Sequence, residues 1–312
     1  MNALANHNFL AHDGVTTFDE LVNAQQNVYN VGYALAVALA VAGIATGDGD
    51  IVTEKLSIGC DATTRTSVEP TLSGPEYGLD GHNRFEADAS LTRDDYFTGD
   101  GDNFSFNTTL FGEMAKATNN NFDLAGLSAY RAQRWQESVS SNPNFSFGPL
   151  TLLLYGAASF LYELMPSGTT GYAPDLATIS SFFGVEQDSA GNFVKTSGER
   201  IPDNWVNRAT PYTDTDVNVQ IVSMYALNPV LFGGNTGAVN SFDGLNTDGF
   251  EDGKLVNATP QGVLCLLYQT IAGGFASDTA GILNPVAGAA AFAASKLGSA
   301  YDNLGCSLPL TK

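Results

Sequence analysis

Three oxygen donors crowd one short stretch of this chain. In Gly81-His-Asn-Arg-Phe-Glu-Ala-Asp-Ala-Ser90, Glu86 offers a carboxylate, Ala87 a backbone carbonyl and Ser90 a hydroxyl. Hard-oxygen sets of this kind hold small divalent cations. Clusters of Asp, Ser and Thr also build turns and helix caps, so the stretch alone leaves both readings open. Other patterns that carry chemistry are missing: the sequence has no Gly-rich phosphate loop, no His-Glu-x-x-His, no Cys-x-x-Cys and no Gly-x-Ser-x-Gly. The three histidines, His7, His12 and His82, are too few and too scattered for a zinc site. Cys60, following Ile58-Gly59, reads as a buried thiol rather than a nucleophile. Asp243, Asp248, Glu251 and Asp252 miss the spacing of a calcium loop and read as turns.

Composition narrows the classes. A chain of 312 residues, 44% hydrophobic, with 19 Phe and 12 Tyr and only 15% charged residues, can bury a large core. Thirteen Lys plus Arg against 33 Asp plus Glu give a net charge of -20, which repels nucleic acid and anionic membrane surfaces. The longest apolar run, Val31 to Ala45, is shorter than the roughly 20 residues a membrane span needs, and it predicts a buried helix. Residues 1–7 lack the basic and apolar regions of a secretion signal, a cytosolic feature. Four Asn-x-Ser/Thr acceptors, at Asn103, Asn107, Asn144 and Asn257, point the other way. So does the cysteine count: Cys265 and Cys306 flank a hairpin-like segment and suit a disulfide, leaving Cys60 over. Closing that loop contributes roughly 4 kcal/mol in the chain-entropy model. A secreted, acidic glycoprotein reconciles these features.

The elements that would position the donors are helices. After a short helical turn in residues 2–14, Thr16-Thr17 caps a helix with Asp19 and Glu20 in its first turn, running to about Asn27. A second covers Tyr33 to Ala45, stopped by Gly47-Asp-Gly-Asp50, and Val52 to Ser57 predicts a further short helix. Residues 60–83 read as loop. Asn107 or Thr108 caps a helix carrying Leu110, Phe111 and Met114. Asp123 caps the next, Leu124 to Ser140, which Asn142-Pro143 ends. Leu150 to Leu164 is apolar nearly all round and predicts a core helix, broken at Pro166-Ser-Gly. Pro174-Asp175 opens a helix ending at Phe183-Gly184, and 187–202 reads as polar loop. Val217 to Tyr225 has the β-branched character of an extended segment. Two helices, about Gln261 to Gly273 and Pro285 to Asn303, close the chain. The expectation is one all-α domain, residues 1–312, of about ten helices with long loops.

Several blocks, in order along almost the whole chain, resemble one family. Asn2-Ala-Leu-Ala-Asn-His-Asn-Phe-Leu10 with Gly14 is similar to the segment that follows a Pro-Cys-Pro motif. Leu56-Ser-Ile-Gly59 matches a second block, and Glu86-Ala-Asp-Ala-Ser90 with Thr92-Arg93 resembles a Glu-Gly-Asp or Glu-His-Asp motif. Thr108-Thr-Leu-Phe111, Gln136-Glu-Ser-Val139, Asn142-Pro-Asn-Phe-Ser-Phe147 and Ile201-Pro-Asp203 continue the series. The family is that of the fungal heme-thiolate peroxidases, which includes chloroperoxidase and the unspecific peroxygenases. The resemblance implies a helical fold around heme b, ligated by a Cys thiolate that favours peroxide O–O cleavage. It implies hydrogen peroxide and a small organic molecule as substrates. It also assigns Glu86, the Ala87 carbonyl and Ser90 to a magnesium ion bridging to a heme propionate. The spacing of Cys265 and Cys306 is similar to that of a C-terminal disulfide in long peroxygenases.

Two features depart from the family pattern. The axial Cys is expected four positions before Asn2, ahead of Met1, and none of Cys60, Cys265 and Cys306 can be carried onto it. Either an internal Met has been taken as the start, or the chain is a pseudoenzyme that keeps the fold for ligand binding or a structural role. The family's acid–base groups, a His in the acidic motif or an Arg and Glu after the Asn-Phe-Ser-Phe block, fall on Ala87, Thr151 and Ala158, or on Ala157 with a one-residue slip. Losing such a group costs about 10²–10⁴-fold in rate. Glu163, further along the segment, reads as a surface or helix-end residue.

Overall fold

The computed structural model describes residues 1–46, 49–57, 88–168, 174–196, 198–247, 249–256, 258–272, 289–301 and 306. Helix α1 (Asn2–Asn6) leads to strand β1 (Val15–Thr17) and helix α2 (Phe18–Tyr29). A reciprocal cap starts α2: Thr17 Oγ1 accepts from Glu20 N while Glu20 Oε2 accepts from Thr17 N at 2.8 Å. Asn30, left-handed at φ 54°, ends it. Helix α3 (Tyr33–Thr46) is apolar all round, buries Leu35, Val37, Val41 and Ile44, and packs on α2.

The helix expected at Val52 to Ser57 does not form. Lys55–Ser57 is strand β2, paired antiparallel with β1. Asp50 Oδ1 accepts from Val52 N and Glu54 sits at φ 55°, a turn that cannot continue as a right-handed helix.

Helices α4 (Thr108–Ala117) and α5 (Leu124–Ser141) follow, capped by Asn107 and Asp123, whose side chains accept from backbone N–H groups of the first turns. After β3 (Ser146–Phe147), a 3₁₀ turn at Pro149–Thr151 leads into α6 (Leu152–Glu163). Asp175 caps α7 (Leu176–Phe183), which Gly184 ends at φ 60°. The expected loop at 187–202 is partly a hairpin, β4 (Val185–Gln187) against β5 (Phe193–Lys195).

The extended segment expected at Val217 to Tyr225 is instead helix α8 (Asp214–Leu227). A reciprocal Thr213–Asp216 cap nucleates it, and Val217, Ile221, Met224 and Tyr225 fall on one buried face, so tertiary packing overrides the β-branched preference. Between Gly233 and Leu255 the turns carry the short antiparallel strands β6 (Gly233–Asn235), β7 (Phe242–Gly244), β8 (Phe250–Glu251) and β9 (Lys254–Leu255). Helices α9 (Pro260–Ala272) and α10 (Ala289–Tyr301) complete the described chain.

Among the described residues, ten helices against a few two- and three-stranded pairings make the fold mostly helical, as expected. At its centre α8 packs on α5, α6 and α9, while α10 lies on α3. One hydrophobic cluster runs through these layers from Phe18 to Leu297. Among the described residues no helix is long and apolar enough to cross a membrane.

Candidate functional site

The acidic stretch enters the described structure at Asp88 and lies along α5. Four consecutive backbone carbonyls, Ala89 to Thr92, meet donors from outside the stretch. Arg131 Nη1 donates to Ala89 O, and Arg134 Nε donates to Ser90 O at 2.8 Å. The Tyr130 hydroxyl is shared between Leu91 O, at 3.1 Å, and Leu110 O, at 2.8 Å. Asn107 N donates to Thr92 O at 2.9 Å. Arg131 and Arg134 stand one turn apart on α5, so their side chains rise from the same face.

The carboxylates of Asp88 and Asp95 bond inward rather than to water. Asp95 Oδ1 accepts from Ala89 N at 2.8 Å and from Ser138 Oγ at 3.0 Å. Asn142 is fully buried, and its Nδ2 reaches Asp95 Oδ2 at 3.0 Å and Asp88 Oδ2 at 3.2 Å. Ser146 N also donates to Asp88 Oδ2, at 2.9 Å. Burial pushes the Asp88 carboxyl above its ordinary range, and the nearby Asp95 charge adds to the rise. Hydrogen bonds from Ser146 N, the Tyr96 backbone and Asn142 work against it. Ser90 is buried in this network; Glu86 and Ala87 lie outside the described residues. Among the described residues no three His, Cys, Asp or Glu side chains are grouped to hold a metal.

Helix α6 borders the site differently. Thr151 is buried and its hydroxyl donates to Gly148 O, within its own turn. Ala158 is fully buried, whereas its neighbour Ala157 is exposed. The half-buried Leu150, Leu153 and Phe160 line up with Ala157 at helical spacing, so the accessible side of α6 is an apolar stripe. Neither Thr151 nor Ala158 stands on it. Glu163, at the helix end, accepts from Arg208 Nη1 and Gln220 Nε2, each at 2.9 Å. Burial raises its carboxyl and the Arg208 charge opposes the rise.

Cys265 and Cys306 form the expected disulfide, with Cα atoms 5.4 Å apart. Cys60 and Asn257 lie outside the described residues. Of the other glycosylation candidates, Asn144 is exposed, Asn103 is buried, and Asn107 uses its side chain to cap α4 and to donate to Asp94.

Residues 1–210 match the family described as "Peroxidase, family 2". The chain belongs to this family, the fungal heme-thiolate peroxidases. Among curated relatives, "Aromatic peroxidase fscJ" of Fusarium equiseti is 29% identical over 98% of this chain and 74% of its own length. "Dothistromin biosynthesis peroxidase dotB" of Dothistroma septosporum is 31% identical over 79% of this chain. "Aromatic peroxygenase" of Cyclocybe aegerita is 32% identical over 78%. The chain spans 61% of the length of the last two. The part matched to the heme-thiolate peroxidases holds the acidic stretch, α5 and α6, and stops before α8 and the disulfide. With Cys265 and Cys306 joined, neither offers a free thiolate.

The sequence singles out Glu86, Ala87 and Ser90 but not the residues that hold their neighbours. Arg131, Arg134 and Asp95 are not singled out there. The available signal is two arginines three apart on a helix that otherwise presents Leu127, Tyr130 and Ser138 to the core. Arginines placed there need partners.

Proposed function

We propose that this protein is an extracellular peroxidase or peroxygenase that uses hydrogen peroxide to oxidise small organic, aromatic-type substrates, with unconventional peroxide activation. The observation that carries the reading is the acidic stretch bonded to α5, inside the segment matched to the family. The residues present suit the family's groups. A flat apolar macrocycle fits the stripe Leu150, Leu153, Ala157 and Phe160, which would shield it from water. Because the carbonyls from Ala89 to Thr92 are engaged, a magnesium ion here would draw on the Glu86 carboxylate, the Ala87 carbonyl and the Ser90 hydroxyl, a hard-oxygen set. When bound, heme would supply peroxide O–O cleavage. The disulfide and the acidic surface support an oxidising, extracellular setting.

What α6 contributes is binding and exclusion of water, because its accessible stripe carries no proton donor or acceptor. Moving the peroxide proton then falls to water or to the substrate, a loss of about 10²–10⁴-fold relative to a positioned side chain. That same stripe favours the second reading, a ligand-binding protein of the peroxidase fold without turnover. The ferrous–carbon monoxide spectrum of the full-length protein separates the two. A red-shifted Soret band of thiolate type is expected; the lack of any heme band overturns the enzymatic reading.

A further inference from the structure

Three of the four Asn-x-Ser/Thr acceptors lie among the described residues, and their surroundings set them apart. A glycan is bulky and hydrated, so an acceptor in the folded chain needs its amide nitrogen in water with open space beyond it. Asn103 fails on burial, with only 5% of its surface exposed. Asn107 fails on bonding. Its Oδ1 accepts from Thr109 N and Leu110 N to cap α4. Its Nδ2, the atom a glycan would occupy, donates to both oxygens of Asp94, at 3.1 and 2.9 Å. A sugar there would stand between the cap and that carboxylate. Asn144 differs on both counts. It occupies the third position of a tight turn between α5 and β3: Phe145 N donates to Asn142 O at 3.0 Å, and Asn142 Oδ1 accepts from Asn144 N at 2.9 Å. From there exposure alternates, with Asn144 and Ser146 outward and Phe145 and Phe147 buried. Extended chain puts residues two apart on one face, so the acceptor amide and the Ser146 hydroxyl project to the same solvent side. Among the described residues none takes a hydrogen bond from the Asn144 side chain. The adjoining loop 236–240, tied to the turn by Gly237 N donating to Pro143 O at 3.1 Å, is exposed throughout and leaves room for a branched sugar.

We infer that Asn144 is an attachment site for an N-linked oligosaccharide, and that Asn103 and Asn107 stay bare in the folded protein. This rests on the extracellular reading above, because the modification belongs to chains that enter the secretory route. The donor is a lipid diphosphate-linked oligosaccharide. A bond forms between Asn144 Nδ2 and the first carbon of the sugar, the bond from that carbon to the diphosphate breaks, the lipid diphosphate leaves with the electron pair, and the amide gives up one proton. The turn suits the product. Its backbone is held by Asn142, and the buried rings of Phe145 and Phe147 fix the outer face, so a substituent on Nδ2 displaces no contact of the fold. At Asn107 the same substituent competes with Asp94, and at Asn103 it would have to be buried, where a hydrated sugar loses its water without matching partners.

The test sends the full-length protein through the secretory route of a yeast behind a host leader. The purified protein is treated with peptide N-glycosidase in heavy-oxygen water, which turns each glycosylated Asn into a labelled Asp that peptide mass spectrometry locates. Label at Asn144 in most molecules, and none at Asn103 or Asn107, is expected. Asn144→Gln and Ser146→Ala should each abolish the Asn144 label while the protein still folds, because both side chains are exposed. Bare Asn144 in folded, secreted protein overturns the assignment. Label at Asn103 or Asn107 in that protein overturns the selection by burial and bonding. If the chain is retained in the cell, the same digest of the retained protein reads Asn144 in the same way. The extracellular reading is tested separately, by locating full-length protein made without the host leader. Cytosolic, unglycosylated protein there overturns that reading, while label at Asn144 in the leader-directed protein upholds the acceptor site itself.

Discussion

The acidic stretch from Asp88 to Asp95 and helix α6 border the same proposed site, yet they are held by opposite means. Along the stretch, consecutive carbonyls, one N–H and two carboxylates have named partners, most of them on α5 or at Asn142. Helix α6 carries no charged side chain before Glu163 and is fixed by largely apolar burial against α8 and α5. The difference bears on what each can tolerate. A buried polar network is specified group by group, and removing one member strands the others. An apolar helix specifies volume and a burial pattern, so its accessible positions can change chemistry while the fold stays. The acidic stretch is thus locked, while the accessible side of α6 can change its chemistry without loss of the fold.

Breaking the locked side should have the largest effect. Asp95→Ala leaves Ala89 N, Ser138 Oγ and Asn142 Nδ2 without their shared acceptor, and should cost about 3–5 kcal/mol in urea unfolding. A loss below about 1 kcal/mol would mean the network is looser than its geometry shows.

The next effect separates two neighbours on the tolerant side. Ala158→Glu places a carboxylate in the core and should destabilise by about 3 kcal/mol or more, while Ala157→Glu, exposed, should stay within about 0.5 kcal/mol of wild type. Thermal unfolding of the pair decides it; equal destabilisation would remove the distinction between the two sides of α6.

The smallest concerns the one carboxyl of α6. Burial raises Glu163 above its reference value of 4.5, so its neutral form is favoured on folding. Its contribution is present below 4.5 and is lost as pH rises through the folded value. Glu163→Gln should flatten the decline in melting temperature as pH rises above 4.5. A decline as steep as in wild type would assign it elsewhere.

Much of the fold is legible in the sequence because its signals are local. Thr17, Asn107, Asp123 and Asp175 cap the helices they announce, and the apolar run of α3 gives a buried helix. Helix α8 is misread because Val217, Val219, Ile221 and Val222 carry extended-chain propensity, while the Thr213–Asp216 cap that starts the helix lies just ahead of them. The site is legible only in part, for a physical reason. Glu86 and Ser90 are visible as oxygen donors, but Arg131 and Arg134 bond to backbone carbonyls some forty residues away, and no side-chain pattern records which carbonyl they reach. On α6 nearly every position is apolar, so periodicity names no face. The packing of α8 and α5 decides that Ala157, and not Ala158, is accessible.

The most direct test restores chemistry to the tolerant side while leaving the locked side intact. Peroxide-dependent turnover of a small aromatic substrate is compared between wild type and Leu150→Arg combined with Ala157→Glu, in full-length protein loaded with heme. A positioned acid–base pair on the accessible stripe should raise kcat by about 10²-fold with the substrate KM little changed. Unchanged kcat in a folded, heme-loaded double variant would contradict the view that this face has lost its acid–base function beside an intact anchor.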